Sequence, residues 1–258
     1  MTHSTEVTQE FLDTAQYQTS SILQYEAVYG EDFVSPGGYQ MAVELIEKLD
    51  LLPNSRVLDI GCGLGGSAFV MASEFDLTVD GIDLSKNMLA IANEKLTAHG
   101  LSDRIDFEWG DCLQLDRPGY YDAAYSRDVF LHIEDKSRLF SVLEKLLRPG
   151  GQLLFTDYCS GPKPWGEEFS AYVEERGYYL HTLPGYAGLI SNAGFKQVEY
   201  KDITDRFISI LQSDLEKISG LDLVESDRIK LQQSWRQKVA RSKTGAQRWG
   251  LFTAVKGS

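Results

Sequence analysis

Two short stretches hold residues whose types and spacing suit chemistry. In "VLDIGCGLGG", Asp59 precedes Gly61, Gly63 and Gly66, and Asp83 follows at the distance where a carboxylate can hold a ribose hydroxyl. In "AAYSRDVFLHIEDK", residues 123–136, Arg127 and Asp128 lead into an apolar run that ends at His132. Such a glycine loop lets the backbone approach a ligand and opens a helix, whose N-terminus favours a pyrophosphate or the carboxylate of an amino-acid-like cofactor. Asp59 separates these options, because it would repel a pyrophosphate but attract an ammonium. The second stretch reads as proton handling beside positive charge, since imidazole titrates near working pH and a carboxylate one helical turn earlier stabilises a cation. Each feature also has a plain structural reading: a tight strand-to-helix turn, Asp83 as a cap before "SKNML", and a satisfied histidine at a helix start.

Composition narrows the ligand. The 258 residues are 43% hydrophobic, enough to bury a large core without a staple. A net charge of -13 opposes attraction to nucleic acid or anionic lipid and points to small molecules. Cys62, Cys112 and Cys159 are far apart, odd in number and without metal-ligand spacing, so neither a disulfide framework nor a metal site is expected. The opening "MTHSTEVTQEFLDTAQYQTS" lacks a basic region followed by an apolar one, and no later stretch is long enough to span a bilayer. A cytoplasmic protein is expected, without a nucleic-acid or membrane partner.

The elements that must position these residues follow from periodicity. "SSILQYEAVYGEDFVSPGGYQMAVELIEKLDL" predicts two helices joined by a bend at Ser35 to Gly38. Strands and helices then alternate: "RVLDI", "GGSAFVMASEF", "LTVDGIDL", "KNMLAIANEKLTAHG", "IDFEWGD", "YDAAYSR", "KSRLFSVLEKLL" and "GGQLLFTDY". Alternation of this kind makes an α/β fold with a parallel sheet and helices on both faces. Beyond residue 161, two helices, a strand "FKQVEYKDI", a long helical stretch to about 243 and a last strand "QRWGLFTAV" are predicted. Ligands in such sheets bind beyond the carboxyl ends of the strands, which selects Asp59 to Gly66, Asp83, Asp111, Arg127 to His132, and Asp157 to Tyr158.

Over residues 55–158 the chain resembles the class I methyltransferases, which use S-adenosylmethionine and release S-adenosylhomocysteine. The resemblance rests on "VLDIGCGLGG", on Asp83, on Asp111 in "EWGDC", and on the Arg-Pro-Gly-Gly turn in "LEKLLRPGGQLLFTDY". It implies a Rossmann-like, mostly parallel sheet of seven strands. It places Asp59, Gly61 and Gly63 at the methionine end, Asp83 and Leu84 at the ribose and adenine, and Asp111 with Cys112 at the adenine edge. Ser35 and Arg127 match positions near the methionine end.

Nearly the whole chain is similar to the phosphoethanolamine N-methyltransferases. The residues that carry this are "AQYQTSSILQYEAVYGEDFVSPGG", "YSRDVFLHI", "TDYC", "YVEERGYYL", "SWRQKVARSK" and "QRWGLF". The resemblance implies one methyltransferase domain over 1–258: an N-terminal helical lid (1–50), a cofactor core (51–160), and a helical cap with the final strands (161–258). It implies a phosphate clamp of Gln16, Tyr158, Arg176, Tyr178 and Lys238. A Tyr17 and His132 pair would serve as base, with Asp128 for the amine and Tyr25 as an N-terminal aromatic. The expected reaction is in-line attack of a deprotonated amine on the sulfonium methyl, with no metal, in a monomer. Alternatives are a glycine, sarcosine or dimethylglycine N-methyltransferase, or a non-catalytic cofactor-binding partner domain. A nicotinamide-dependent dehydrogenase ranks third, because Asp59 and Asp111 disfavour it. Whether one, two or three methylations occur is open at this level.

Overall fold

The structure, a computed structural model, describes residues 19–257. Among the described residues two helices come first, α1 (Thr19–Tyr29) and α2 (Gly38–Glu47), joined through the expected bend. Alternation follows as β1 (Arg56–Ile60), α3 (Gly66–Glu74), β2 (Thr78–Asp83), α4 (Lys86–His99), β3 (Ile105–Trp109), β4 (Tyr121–Arg127), α5 (Lys136–Leu146) and β5 (Leu147–Ser160). The chain closes with α6 (Glu167–Arg176), α7 (Leu183–Asn192), β6 (Lys196–Asp202), α8 (Thr204–Gly220), α9 (Glu225–Lys243) and β7 (Gln247–Val255).

The sheet runs β3-β2-β1-β4-β5-β7-β6. Pairings from β3 to β5 are parallel, while β7 inserts antiparallel between β5 and β6. After Arg56, strand β1 is apolar apart from Asp59, because both faces of the sheet are covered. Val57 faces a core shared with α2, α3, α8 and α9, whereas Leu58 and Ile60 face a second core with α5 and α7. The same alternation puts Ala123 and Tyr125 on the first face and Ala124 on the second.

Two details differ from the sequence reading. The long helix expected up to residue 243 is two helices, which break after Gly220 and restart at Glu225. Its restart carries Glu225 and Asp227 in the first turn, where carboxylates complement the helix dipole. The Arg-Pro-Gly-Gly segment lies within β5 as an irregularity rather than before it: Tyr121 pairs with Leu147 and Ala123 with Gln152, so residues 148–151 loop out of register.

The segment after α1 is pinned to α4. Lys95 bridges Glu26 at 2.7 Å and Asp32 at 2.8 Å, and the His99 ring lies 2.9 Å from Asp32. Buried Arg127 holds the following bend, donating to the carbonyls of Pro36 at 2.7 Å and Gly38 at 3.0 Å. The first two helices are thereby fastened across the carboxyl ends of the strands.

Candidate active site

A cavity of about 610 Å³ opens at those strand ends. At one end, backbone geometry dictates the glycines. Gly61 has φ 68°, and a Cβ there would stand 2.3 Å from a methyl of Val129, so any side chain would push apart β1 and the turn after β4. Among the described residues, a Cβ added at Gly63 would meet only Val34, at 3.4 Å. Asp83 closes this corner: one carboxylate oxygen accepts from the Gly63 N–H at 2.9 Å, the other from the Ser85 N–H at 2.8 Å. The cap of α4 is Ser85, which accepts from Met88, so Asp83 is not merely a helix cap.

Ser35, Gly61, Gly63, Asp83, Leu84, Asp111, Cys112 and Arg127 all line the cavity. Asp111 caps the short turn Cys112–Gln114 through the Leu113 N–H, and the Leu84 carbonyl accepts from the indole of Trp109. Asp59 does not reach the surface of the cavity; it is buried directly behind Ile60 and Gly61, which do. Its Oδ2 has no hydrogen-bond partner among the described residues. Burial pushes its carboxyl up to about 7, opposed by the Arg127 guanidinium and reinforced by Asp83. A cation arriving above the loop would restore it to the ionised form.

The opposite end collects side chains from distant parts of the chain. Asp128, His132, Tyr158, Arg176, Tyr178 and Lys238 line one wall. Asp128 sits at φ 58°, a left-handed conformation that aspartate tolerates better than most residues, and its N–H is held by the Thr156 carbonyl at 2.8 Å. The Trp249 indole donates to Oδ1 at 2.6 Å, while Oδ2 has no partner among the described residues. His132 closes the turn Phe130–His132, its ring edge-on to Tyr178 at 5.3 Å. Burial lowers its imidazole to about 4, helped by the Lys136 and Arg176 cations, so it is neutral at pH 7 and able to accept a proton. Lys238 stands 4.2 Å over the Trp235 ring, and burial with Arg176 and Arg241 lowers its ammonium to about 7.

Gln16 and Tyr17 lie outside the described residues. The structure adds Tyr29, Tyr172 and Tyr179 to the lining, and Trp249 behind it. Two of these had a signal. Tyr29 follows Tyr25 by four residues and stacks with it, and Tyr172 precedes Arg176 by four, so each shares a helix face with a residue already singled out. Trp249 lies in "QRWGLF" but nothing local gives it a role, because only the antiparallel insertion of β7 brings it against Asp128. Among the described residues no group of His, Cys, Asp or Glu could hold a metal ion, and no helix is long and apolar enough to cross a membrane.

A sheet of this order, with its ligand loop after β1 and an acid at the end of β2, is the class I methyltransferase fold, and a family model described as a methyltransferase domain matches residues 57–151. The chain is 36% identical to phosphoethanolamine N-methyltransferase of Plasmodium falciparum over 256 residues, covering 95% of each. It is 44% identical to phosphoethanolamine N-methyltransferase 3 of Arabidopsis thaliana over 253 residues, covering 95% of this chain and 51% of that protein. Among solved structures, Haemonchus contortus phosphoethanolamine N-methyltransferase 2 in complex with phosphomonomethylethanolamine and S-adenosylhomocysteine superposes with a TM-score of 0.93. That match is 34% identical and covers 97% of this chain and 60% of that one. The chain belongs to the phosphoethanolamine N-methyltransferase family. It spans about half the length of the plant relatives.

Proposed function

We propose that the chain transfers methyl groups from S-adenosylmethionine to the nitrogen of phosphoethanolamine, its mono- and dimethyl forms, or both, toward phosphocholine. The observation that carries this reading is one cavity in which Asp128 and His132 face Tyr158, Arg176, Tyr178 and Lys238, with the glycine loop at its other end. Family membership and the ligands of the Haemonchus enzyme support it.

The residues at the loop suit the cofactor. Asp59, buried behind the loop, favours an ammonium through it; Asp83 fits the ribose hydroxyls; Leu84, Asp111 and Cys112 fit an adenine; Ser35 and Arg127 lie toward the methionine end. S-adenosylmethionine supplies an electrophilic methyl when bound. The remaining work falls to the chain. Arg176 and Lys238 neutralise the phosphate, and Tyr158 and Tyr178 donate hydroxyls to it. An amine of this kind is mostly protonated near pH 7. Asp128 draws the ammonium in and stabilises the methylated cation, while His132 removes the proton, relayed by Tyr17. Helices α1 and α2 and the cap beyond 161 exclude water from this step, within a monomeric chain.

A glycine, sarcosine or dimethylglycine acceptor would need one cationic partner for a carboxylate, and the spread of Arg176, Lys238 and two tyrosine hydroxyls suits a dianion better. A non-catalytic partner domain would have no use for Asp128 and His132 in the same wall. Incubation with labelled S-adenosylmethionine and, in parallel, phosphoethanolamine, its monomethyl and dimethyl forms, glycine and sarcosine separates these. Label in the phosphorylated amines alone is expected, and the three-member series reports which steps occur. Label in glycine or sarcosine alone would overturn the assignment.

Lys238 supplies a second test. With its ammonium near 7 in the free site, a phosphate dianion must recruit a proton to Lys238 above that pH, and affinity falls by up to about tenfold per pH unit. Ethyl phosphate, which lacks the amine, is expected to bind with net proton uptake at pH 8, read by calorimetry in buffers of different ionisation enthalpy. Binding without proton uptake would remove Lys238 from the clamp.

A further inference from the structure

The base and the clamp sit on separate segments, and one buried side chain outside both joins them. Lys136, the first residue of α5, is 2% exposed. Its ammonium donates to the Ile133 carbonyl at 2.7 Å and to the Tyr179 carbonyl at 2.6 Å. Ile133 immediately follows His132, and Tyr179 immediately follows Tyr178, three residues beyond Arg176. The rings of Tyr179 and Tyr186 flank the same ammonium at 5.9 and 5.6 Å. A backbone bond from the Tyr179 N–H to the Leu131 carbonyl, 2.8 Å, runs alongside.

Beneath this junction lies Asp157, fully buried on β5. Oδ1 accepts from the Leu131 N–H at 3.1 Å, and Oδ2 accepts from the Tyr186 hydroxyl. The His132 turn is thus held by the Asp157 carboxyl on one side and the Lys136 amine on the other. Burying a lysine is unfavourable, and an apolar side chain would fill the same volume without desolvating a charge. What an apolar side chain cannot do is bind two carbonyls from two segments at once.

We infer that Lys136 is a positioning residue, tying the turn that carries His132 to the segment that carries Arg176 and Tyr178 and so fixing the distance between proton acceptor and phosphate clamp. Asp157 and Tyr186 steady the same turn from below. The inference rests on the phosphobase reading above. It makes Lys136 act through other residues, so its loss should disturb the phosphobase and spare the cofactor.

Lys136→Met, Lys136→Arg and Tyr186→Phe, each checked for folding by circular dichroism, form the test. Steady-state kinetics use phosphoethanolamine with saturating S-adenosylmethionine, and calorimetry gives the cofactor dissociation constant. Lys136→Met is expected to lower kcat/KM by about 100-fold, through both kcat and KM, because a misplacement of about 1 Å has that effect. The cofactor constant should stay at the wild-type value, and Lys136→Arg should recover much of the loss. The cations facing His132 are Lys136 on α5 and Arg176 at the end of α6, with Asp157 on β5 behind Lys136. Removing Lys136 should therefore move the acid limb of kcat/KM to higher pH, which a general loss of stability would not do. Tyr186→Phe, the milder change, should lower kcat/KM severalfold with the cofactor constant unchanged, and it decides the matter if Lys136→Met does not fold. Folded Lys136→Met, or Tyr186→Phe in its place, with wild-type kcat/KM would overturn the inference. Wild-type protein that methylates no phosphobase would overturn the parent reading and this role with it.

Discussion

Replacing His132 with Ala is expected to lower kcat on phosphoethanolamine by about 10² to 10⁴-fold, the usual worth of a positioned general base, with S-adenosylmethionine affinity near wild type. The split follows from position. His132 lies on the turn after β4, whereas Gly63, Asp83 and Asp111 follow β1, β2 and β3 on the other side of the cavity. Its imidazole is held low, at about 4, chiefly by burial and then by Lys136 and Arg176. It is consequently unprotonated throughout the neutral range, and its own titration should give activity an acid limb, separate from the alkaline loss of affinity set by Lys238. Under the proposed reaction, a phosphate dianion bound at Arg176 would offset that charge and raise the basicity of His132. Unchanged turnover in the Ala variant would remove His132 from the reaction; loss of cofactor affinity alongside would point to collapse of the site instead.

Arg176→Ala is expected to act on the other parameter, raising KM for phosphoethanolamine by about 30-fold or more, since truncating one partner of a hydrogen-bonded charge pair costs about 2–5 kcal/mol. Arg176 ends α6 on the face shared with Tyr172, whose ring also stacks under Arg241 at 3.6 Å. A lysine at this position would keep the charge and lose the fork, so Arg176→Lys should fall between wild type and Ala. The His132 and Arg176 variants together separate chemistry from capture: kcat moves with His132, KM with Arg176. An unaltered KM in Arg176→Ala would take this residue out of the clamp.

Much of this arrangement was legible along the chain because local rules govern it. The five strands from "RVLDI" to "GGQLLFTDY" follow from short apolar runs bounded by turns, and β4 and β7 have the limits read from sequence. The glycine loop and Asp83 are legible because both sit at strand ends, where topology alone decides what lines the cavity. Residues that depend on long-range register are not. Trp249 meets Asp128 across 121 positions, through a strand inserted out of order between β5 and β6. Lys136 reads as a solvated charge at a helix start, and only the packing of α5 against the segment after α6 encloses it. The break after Gly220 has its own marks, a glycine followed by acids, which helical periodicity on both sides concealed.

Arg127 shows how a local match can be right about place and incomplete about role. It lines the cavity near the glycine loop, as its position in "YSRDVFLHI" implies, yet its guanidinium is committed to the carbonyls of Pro36 and Gly38. Its charge nonetheless opposes the burial of Asp59 and Asp128. A residue placed at the cavity thus also fastens α1 and α2 and balances two acids.

The central claim is that one cavity joins a proton acceptor to a phosphate clamp, so that phosphorylation is what makes an amine a substrate. The ratio of kcat/KM for phosphoethanolamine to that for free ethanolamine tests it most directly. Loss of contacts to Arg176 and Lys238, each a charge-assisted pair, predicts a ratio on the order of 10³ or greater. Equal values for the two amines would contradict the account.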